Sequence, residues 1–298
     1  MVVSPVFAIR AKAWVADFFR TFATKLIIGM ELQEDSIIVS DRLDGIIDAE
    51  IKNYFTHAYC TAGECEMVYN NERFSITKGD CVIIIANQLV SAIHPSDGFQ
   101  VKVIYIEVGF LEACTPHTSY GVTGGLTMFV NPVMHLDERE QRICERDFDE
   151  VARRLKEPHR YFQGDAMMAV TQTMFCDFYE FHARIYGQPQ VSALTASIMR
   201  RFVDMLEKGE YRKNREVGYY ADQLCVTPKY LSEVCRKVSG YAANFWINRY
   251  ATIDIARLLK DKSLSFTEIS DIYGFTSQSH FSRYVQQNLG ASPSVFRE

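Results

Sequence analysis

The chain reads as an α+β protein. An N-terminal antiparallel β-barrel with a helical segment precedes an all-α domain that holds two helix-turn-helix motifs. Three observations carry that reading. Short β-branched runs separated by turn residues crowd the stretch from Asp35 to Phe110. Helical apolar spacing takes over after Pro132. The C-terminal third holds one pattern twice, 50 positions apart: Thr227-Pro228-Lys229-Tyr230-Leu231 is echoed by Ser277-Gln278-Ser279-His280-Phe281, Cys235 by Val285 and Gly240 by Gly290. A repeat of this kind is one supersecondary unit used twice.

The 298 residues suffice for two domains, and 48% hydrophobic with 23% charged residues is a globular composition. The net charge of -5 argues against nucleic acid as a partner, but its distribution does not. From Leu194 to Glu298 there are 15 Lys and Arg against 11 Asp and Glu, so +4, which leaves -9 for the rest. The eight cysteines form no C-x-x-C pair and read as reduced core thiols of a cytoplasmic protein, with a redox sensor at Cys60 and Cys65 as the sharper alternative.

Residues 1–34 read as an N-terminal extension. Val6 to Met30 is apolar but interrupted by Arg10, Lys12, Arg20 and Lys25, short of the roughly 18 uninterrupted residues that span a bilayer. No membrane partner is expected. The segment fits a helix docked on the core, a surface-binding helix, or an over-extended reading frame whose start is Met30.

Residues 35–190 read as the first domain. Ser36 to Val39, Glu66 to Tyr69, Cys81 to Ala86 and Val101 to Val108 are strand-like, with turns at Asn70-Asn71, Lys78-Gly79-Asp80 and Ser96-Asp97-Gly98. Asp137 to Lys156 has helical spacing that Pro158 ends. Asp165 to Tyr186 places Met168, Thr171, Phe175, Phe178 and His182 on one stripe, either a homodimer seam or a face packed on the barrel. Gly187-Gln188-Pro189-Gln190 is the linker.

Residues 191–298 read as the second domain. Ser192 to Lys208 is its first helix, with Leu194, Ile198, Phe202 and Met205 on one face. Val217 to Leu224 and Cys225-Val226 are helix and turn. Thr227 is an N-cap with Pro228 at the first helical position, and Gly240 is the stop. Leu231, Val234, Cys235 and Val238 face inward. In the second copy Phe266 to Tyr273 is the first helix, Gly274-Phe275 the turn and Ser277 the cap, with Phe281, Tyr284, Val285 and Leu289 inward. Ala243 to Lys260 joins the copies as one helix of about 27 Å at 1.5 Å per residue. Such a rod can set two recognition helices about one DNA turn apart, near 34 Å. Arg283 can bind guanine bidentately and Gln278 can pair with adenine.

At these residues the sequence resembles the AraC/XylS family of transcription regulators. The motif is Ile269-Ser270-Asp271-Ile272-Tyr273-Gly274-Phe275, then Gln278-Ser279-His280-Phe281-Ser282-Arg283, then Gly290-Ala291-Ser292-Pro293 and Phe296-Arg297. The resemblance covers a third of the chain strongly and extends loosely to the first copy. It implies a sequence-specific regulator, an activator in the common case, whose DNA-binding domain has seven helices. Carried over residue by residue, base-facing positions fall on Lys229, Ser232, Glu233, Gln278, Ser279, Ser282 and Arg283, and phosphate contacts on Arg236, Lys237 and Arg297. Ala251 stands where the family's connecting helix has Arg, and Glu233 adds repulsion against phosphate. The N-terminal half resembles the family's cupin-like effector and dimerisation domain, with Tyr54, His57, Tyr59 and Tyr105 as candidate ligand liners. The implied partners are double-stranded promoter DNA, a small-molecule effector, a second copy of the chain and RNA polymerase.

No cofactor, metal or catalytic residue is expected. The His-x-His pair of metal-binding cupins is absent around His57, and a His57/Cys60/Cys65/His94 cluster is the weaker metal reading. The competing classes are a cupin-type enzyme fused to a DNA-binding domain, and a regulator governed by a protein partner or by thiol oxidation.

Overall fold

A computed structural model of the chain describes residues 36–47, 51, 54–116, 120–157, 161–187 and 191–297. The N-terminal extension and Pro158 lie outside the described residues.

Two antiparallel sheets form the N-terminal half. The strands are β1 (Ile37–Ser40), β2 (Tyr54–Ala62), β3 (Glu64–Tyr69), β4 (Glu72–Thr77), β5 (Asp80–Ile84), β6 (Val90–Pro95), β7 (Gln100–Glu107) and β8 (Val133–His135). The order is β1-β7-β2-β5-β8 in the larger sheet and β4-β3-β6 in the smaller. The sheets face each other without closing into a barrel. Their inner faces bury Ala58, Cys60, Met67, Ile76, Val82, Ile84, Val103 and Tyr105. The outer face of the larger sheet carries Tyr59, Cys81, Ile83, Ile104 and Ile106 and is covered by helices. Its central strand β2 is therefore buried on both faces, and it lacks the alternation that would have exposed it in the sequence.

Helices begin before Pro132, earlier than the apolar spacing predicted. They are α1 (Val108–Cys114) and α2 (Tyr120–Val130), then α3 (Glu138–Lys156) and α4 (Gln163–Tyr186). Asp137 and Glu140 close a reciprocal capping box at the start of α3. Thr171, Phe175, Phe178 and His182 of α4 are buried against the sheet, with His57 stacked on Phe175 and Phe178 at 5.4 and 5.9 Å. This stripe packs within the chain and is not open as a dimer seam.

Among the described residues the C-terminal third holds seven α-helices: α5 (Ala193–Glu207), α6 (Val217–Gln223), α7 (Pro228–Ser239), α8 (Ala243–Lys260), α9 (Phe266–Ile272), α10 (Gln278–Leu289) and α11 (Pro293–Arg297). The buried face of α5 is Thr195, Ile198, Met199, Phe202, Val203 and Leu206. Leu194 is exposed, so this face is rotated from the predicted one. One hydrophobic cluster runs from the inner faces of the sheets through Phe129 to Trp246, Leu231 and Phe281, so both halves share a core.

Candidate nucleic-acid interface

Both recognition helices start and stop on local chemistry. The Thr227 hydroxyl accepts from the Tyr230 N–H at 3.2 Å, and the Ser277 hydroxyl from the His280 N–H at 3.1 Å. Gly240 and Gly290 end α7 and α10 in left-handed backbone, at φ 80° and 76°. Leu231, Val234, Cys235 and Val238 bury one face of α7, and Phe281, Val285 and Leu289 that of α10.

The copies are related by two offsets. Helices α6 and α9 lie 49 positions apart, whereas α7 and α10 lie 50 apart. Val226 N–H bonds to the Ala221 carbonyl as Phe275 N–H bonds to that of Ser270, and Cys225 stands where the second copy has Gly274. The second turn thus holds one more residue, Thr276, before its cap.

Outward positions follow from the inward ones. Lys229, Glu233, Arg236 and Lys237 on α7 are exposed, and Ser232 is half-buried. On α10, Gln278, Ser279 and Arg283 are exposed, and Ser282 is half-buried. Side chains at the first turns of both helices therefore present donors and acceptors to solvent, as groove readout requires. Arg297 is different. Its Nε donates to the Leu259 carbonyl at 2.9 Å and its guanidinium covers the Phe266 ring at 4.0 Å. It fastens α11 to α8 and α9 and is half-buried there.

The angle between the two units is held by a carboxylate that periodicity alone left without a role. Asp254 lies on the buried face of α8. Arg212 Nε and the Tyr273 hydroxyl both donate to its Oδ2 at 2.6 Å, and Arg257 Nη2 to its Oδ1 at 2.8 Å. Burial alone would raise the Asp254 pKa, but these three donors outweigh it and hold the carboxyl below its ordinary range. Arg215 adds a second tie, from Nη1 to the Tyr273 carbonyl at 2.8 Å, with its guanidinium 4.7 Å from the Phe275 ring. Asp254 shares its buried helix face with Ile247, Ala251, Ile255 and Leu259, and an acid among those residues is the local signal for this hub. Ala251, at the position of the family's Arg, is fully buried.

The four candidate ligand liners do not come together. Tyr54 and Tyr105 belong to the cluster between the sheets, and Tyr105 donates to the Arg42 carbonyl at 3.0 Å. His57 and Tyr59 point the other way, into the layer beneath α3 and α4, because side chains alternate along β2. Burial pulls His57 down to about 4, so its imidazole is neutral at physiological pH. For the same reason His57 cannot meet Cys60, and His94 is exposed. No group of His, Cys, Asp or Glu among the described residues could hold a metal ion. Cys60 and Cys65 are buried and free, and burial raises both thiols, Cys60 to about 11. Neither has the low-pKa, accessible setting of a redox sensor. No helix among the described residues is long and apolar enough to cross a membrane.

Two family models match the chain. The helix-turn-helix domain model covers residues 220–298 and the AraC-like ligand binding domain model covers residues 48–172. Regulatory protein PocR of Salmonella typhimurium is 27% identical over 78 residues, 26% of this chain and 26% of that protein. The chain thus matches about a quarter of that relative's length. Probable transcription factor PqrA of Proteus vulgaris is 25% identical over 99 residues, 32% of this chain and 81% of that protein. Among solved structures, fatty-acid-bound ToxT from Vibrio cholerae is 15% identical with a TM-score of 0.47, covering 82% of this chain and 87% of that one.

Proposed function

The chain belongs to the AraC/XylS family of transcription regulators, and from that premise we propose that it binds promoter DNA at two successive major grooves and activates transcription under control of a small-molecule effector. Residues 191–298 form the DNA-binding domain in this reading and residues 35–190 the effector domain. The observation that carries it is the pair of capped recognition helices whose outward first turns are open.

Base contacts fall to Lys229, Ser232, Glu233, Gln278, Ser279, Ser282 and Arg283. Arg236 and Lys237, on the exposed last turn of α7, take phosphates. Arg283 supplies the bidentate fork that matches guanine O6 and N7, and Gln278 the amide that matches adenine N6 and N7. Glu233 accepts from cytosine N4, a contact that offsets its repulsion from phosphate only at the right base. Arg297 leaves the contact set. The effector is placed between the two sheets, on the face that carries Tyr54 and Tyr105, because that face is continuous with the core of the DNA-binding domain. His57 and Tyr59 pack beneath the helices and are not part of this site. A homodimer would have to use a surface other than the buried stripe of α4. RNA polymerase is the further partner that activation requires, and the cytoplasm the compartment in which promoter DNA is met.

The test is selection of duplexes from a random library by the full chain, followed by footprinting. Two protected half-sites centred about one turn apart, 10–10.5 base pairs, are expected. A single protected half-site would sink the two-groove reading, and failure to retain any duplex would sink the function. Native mass spectrometry of the chain isolated from cells tests the effector, which should appear as a small added mass.

A further inference from the structure

The effector half touches the DNA-binding half at a turn. Asn70 and Asn71 join β3 to β4 with both residues in left-handed backbone, at φ 57° and 61°. This tight turn points two side-chain amides at the C-terminal helices, a backbone state that asparagine tolerates. The Asn70 N–H is tied to the Leu89 carbonyl at 2.9 Å, so the turn is anchored from behind. Asn70 Oδ1 accepts from Arg249 Nη1 on the connecting helix α8. Asn71 Nδ2 donates to the Asn288 carbonyl at 3.5 Å, at the C-terminal end of the second recognition helix α10. Its amide packs on Gly290, where a Cβ would come within 2.8 Å of Asn71 Oδ1.

Arg249 is the centre of this seam. It is 8% exposed, and its guanidinium lies 4.3 Å from the ring of Phe129 on α2. Phe129 meets Trp246 of α8 edge-on at 6.3 Å and Tyr69 of β3 at 6.2 Å. Among the described residues no carboxylate forms an ion pair with Arg249. Its Nε has no hydrogen-bond partner, and the Tyr69 hydroxyl faces it without reaching hydrogen-bond geometry. The Glu72 carboxylate acts on it through space only. Burial pulls Arg249 down to about 10, so it stays charged. A buried cation held by one amide and one aromatic face is costly to keep dry. A cavity of about 50 Å³ beside it, lined by Tyr69, Glu72, Phe129 and Tyr241 among others, shows that the seam is not packed shut.

We propose that Arg249 is a positioning residue: through it and the Asn70–Asn71 turn, the effector domain holds the second helix-turn-helix unit at the angle that two-groove binding needs. One turn grips both the rod that joins the units and the far end of α10. Any change of the sheets that shifts β3 or β4 is therefore delivered to the second recognition helix, while the outward residues of both helices stay untouched. The cost of burying Arg249 makes this grip releasable, which a regulated contact requires.

The inference rests on the two-groove reading, and its test separates the two. The full chain selects a duplex from a random library, and single base pairs are then inserted between the half-sites. Each insertion turns the second half-site by about 35°. Wild type should lose affinity about tenfold at the first insertion, and N70A/N71A and R249M should lose less than about twofold, a coupling of about fivefold at the lower end of the usual range between sites. Far-ultraviolet circular dichroism and thermal melting establish that the variants fold. Variants that keep the sharp spacing optimum overturn the inference and leave the function standing. So do variants that weaken equally at every spacing. A wild-type chain that selects no duplex overturns both. Arg249→Lys, which keeps the charge and loses the planar stack, should give an intermediate spacing dependence.

Discussion

Cys225 and Gly274 occupy the same left-handed step of the two helix-turn-helix units, at φ 56° and φ 60°. Each follows the short first helix of its unit and precedes the residue whose N–H reaches back to that helix, Val226 in one copy and Phe275 in the other. Only one of the two is the residue that enters this conformation without strain.

The first prediction follows from that pair. A left-handed residue with a Cβ costs roughly 1–2 kcal/mol, and glycine gives back part of this through the freedom it gains when unfolded. Cys225 is exposed, so its side chain contributes little packing. C225G should therefore stabilise the chain by about 0.5–1 kcal/mol. The reciprocal G274A should destabilise it by about 1 kcal/mol. Thermal melts of both variants check this, and a C225G chain that melts earlier would show that the thiol holds the turn by a contact.

What the sequence made legible divides along the same line of locality. Caps, stops and inward stripes of α7 and α10 are written within a few residues, and Thr227, Ser277 and Gly240 do what their positions implied. The one-residue slip of the repeat was hidden because the recognition helices dominate the match. Strand β2 was missed because Thr56 and His57 are buried on opposite faces, so polarity and direction are uncoupled there. The seam was beyond reach for a different reason. Asn70 and Asn71 read correctly as a turn, but their partner Arg249 lies 179 residues away and nothing local announces it.

Arg283 should carry base preference. It is exposed on the outward face of α10, one turn in from the Ser277 cap. R283A should cost roughly 1–3 kcal/mol at the selected site and relax preference at a single position. Binding measured against a panel of single-base substitutions gives both numbers. A uniform loss across the panel would reassign Arg283 to phosphate.

Asp254 should matter for the integrity of the DNA-binding half and for its acid limit. Replacing it by Asn removes the charge that Arg212 and Arg257 share, at about 3 kcal/mol, the lower end for breaking a buried pair because both arginines are partly exposed. Its carboxyl is held below the ordinary value of 3.8, so its contribution is full above that value and fades as pH falls through the lowered one. Acid unfolding of wild type should therefore show a steep loss at the acid end, which D254N lacks. Equal acid limbs in the two chains would show that the hub does not titrate with folding.

Asp147 predicts the opposite dependence. It is 5% exposed on α3, where Oδ1 accepts from Arg146 Nε and Nη2 at 3.2 and 2.8 Å and the buried Oδ2 has no partner. Burial raises its carboxyl to about 6; Arg146 works against that, and the nearby Asp177 carboxylate works with it. The folded chain thus holds a proton that the unfolded chain releases near 3.8, and stability falls as pH rises from about 4 to 6. D147N keeps the shape and removes the charge. It should be more stable than wild type by about 1–2 kcal/mol at pH 7, with the gain shrinking as pH falls toward 4. Urea unfolding of the two chains across that range measures the difference directly. A D147N chain that is less stable at pH 7 would show that the bond to Arg146 outweighs the cost of the buried charge.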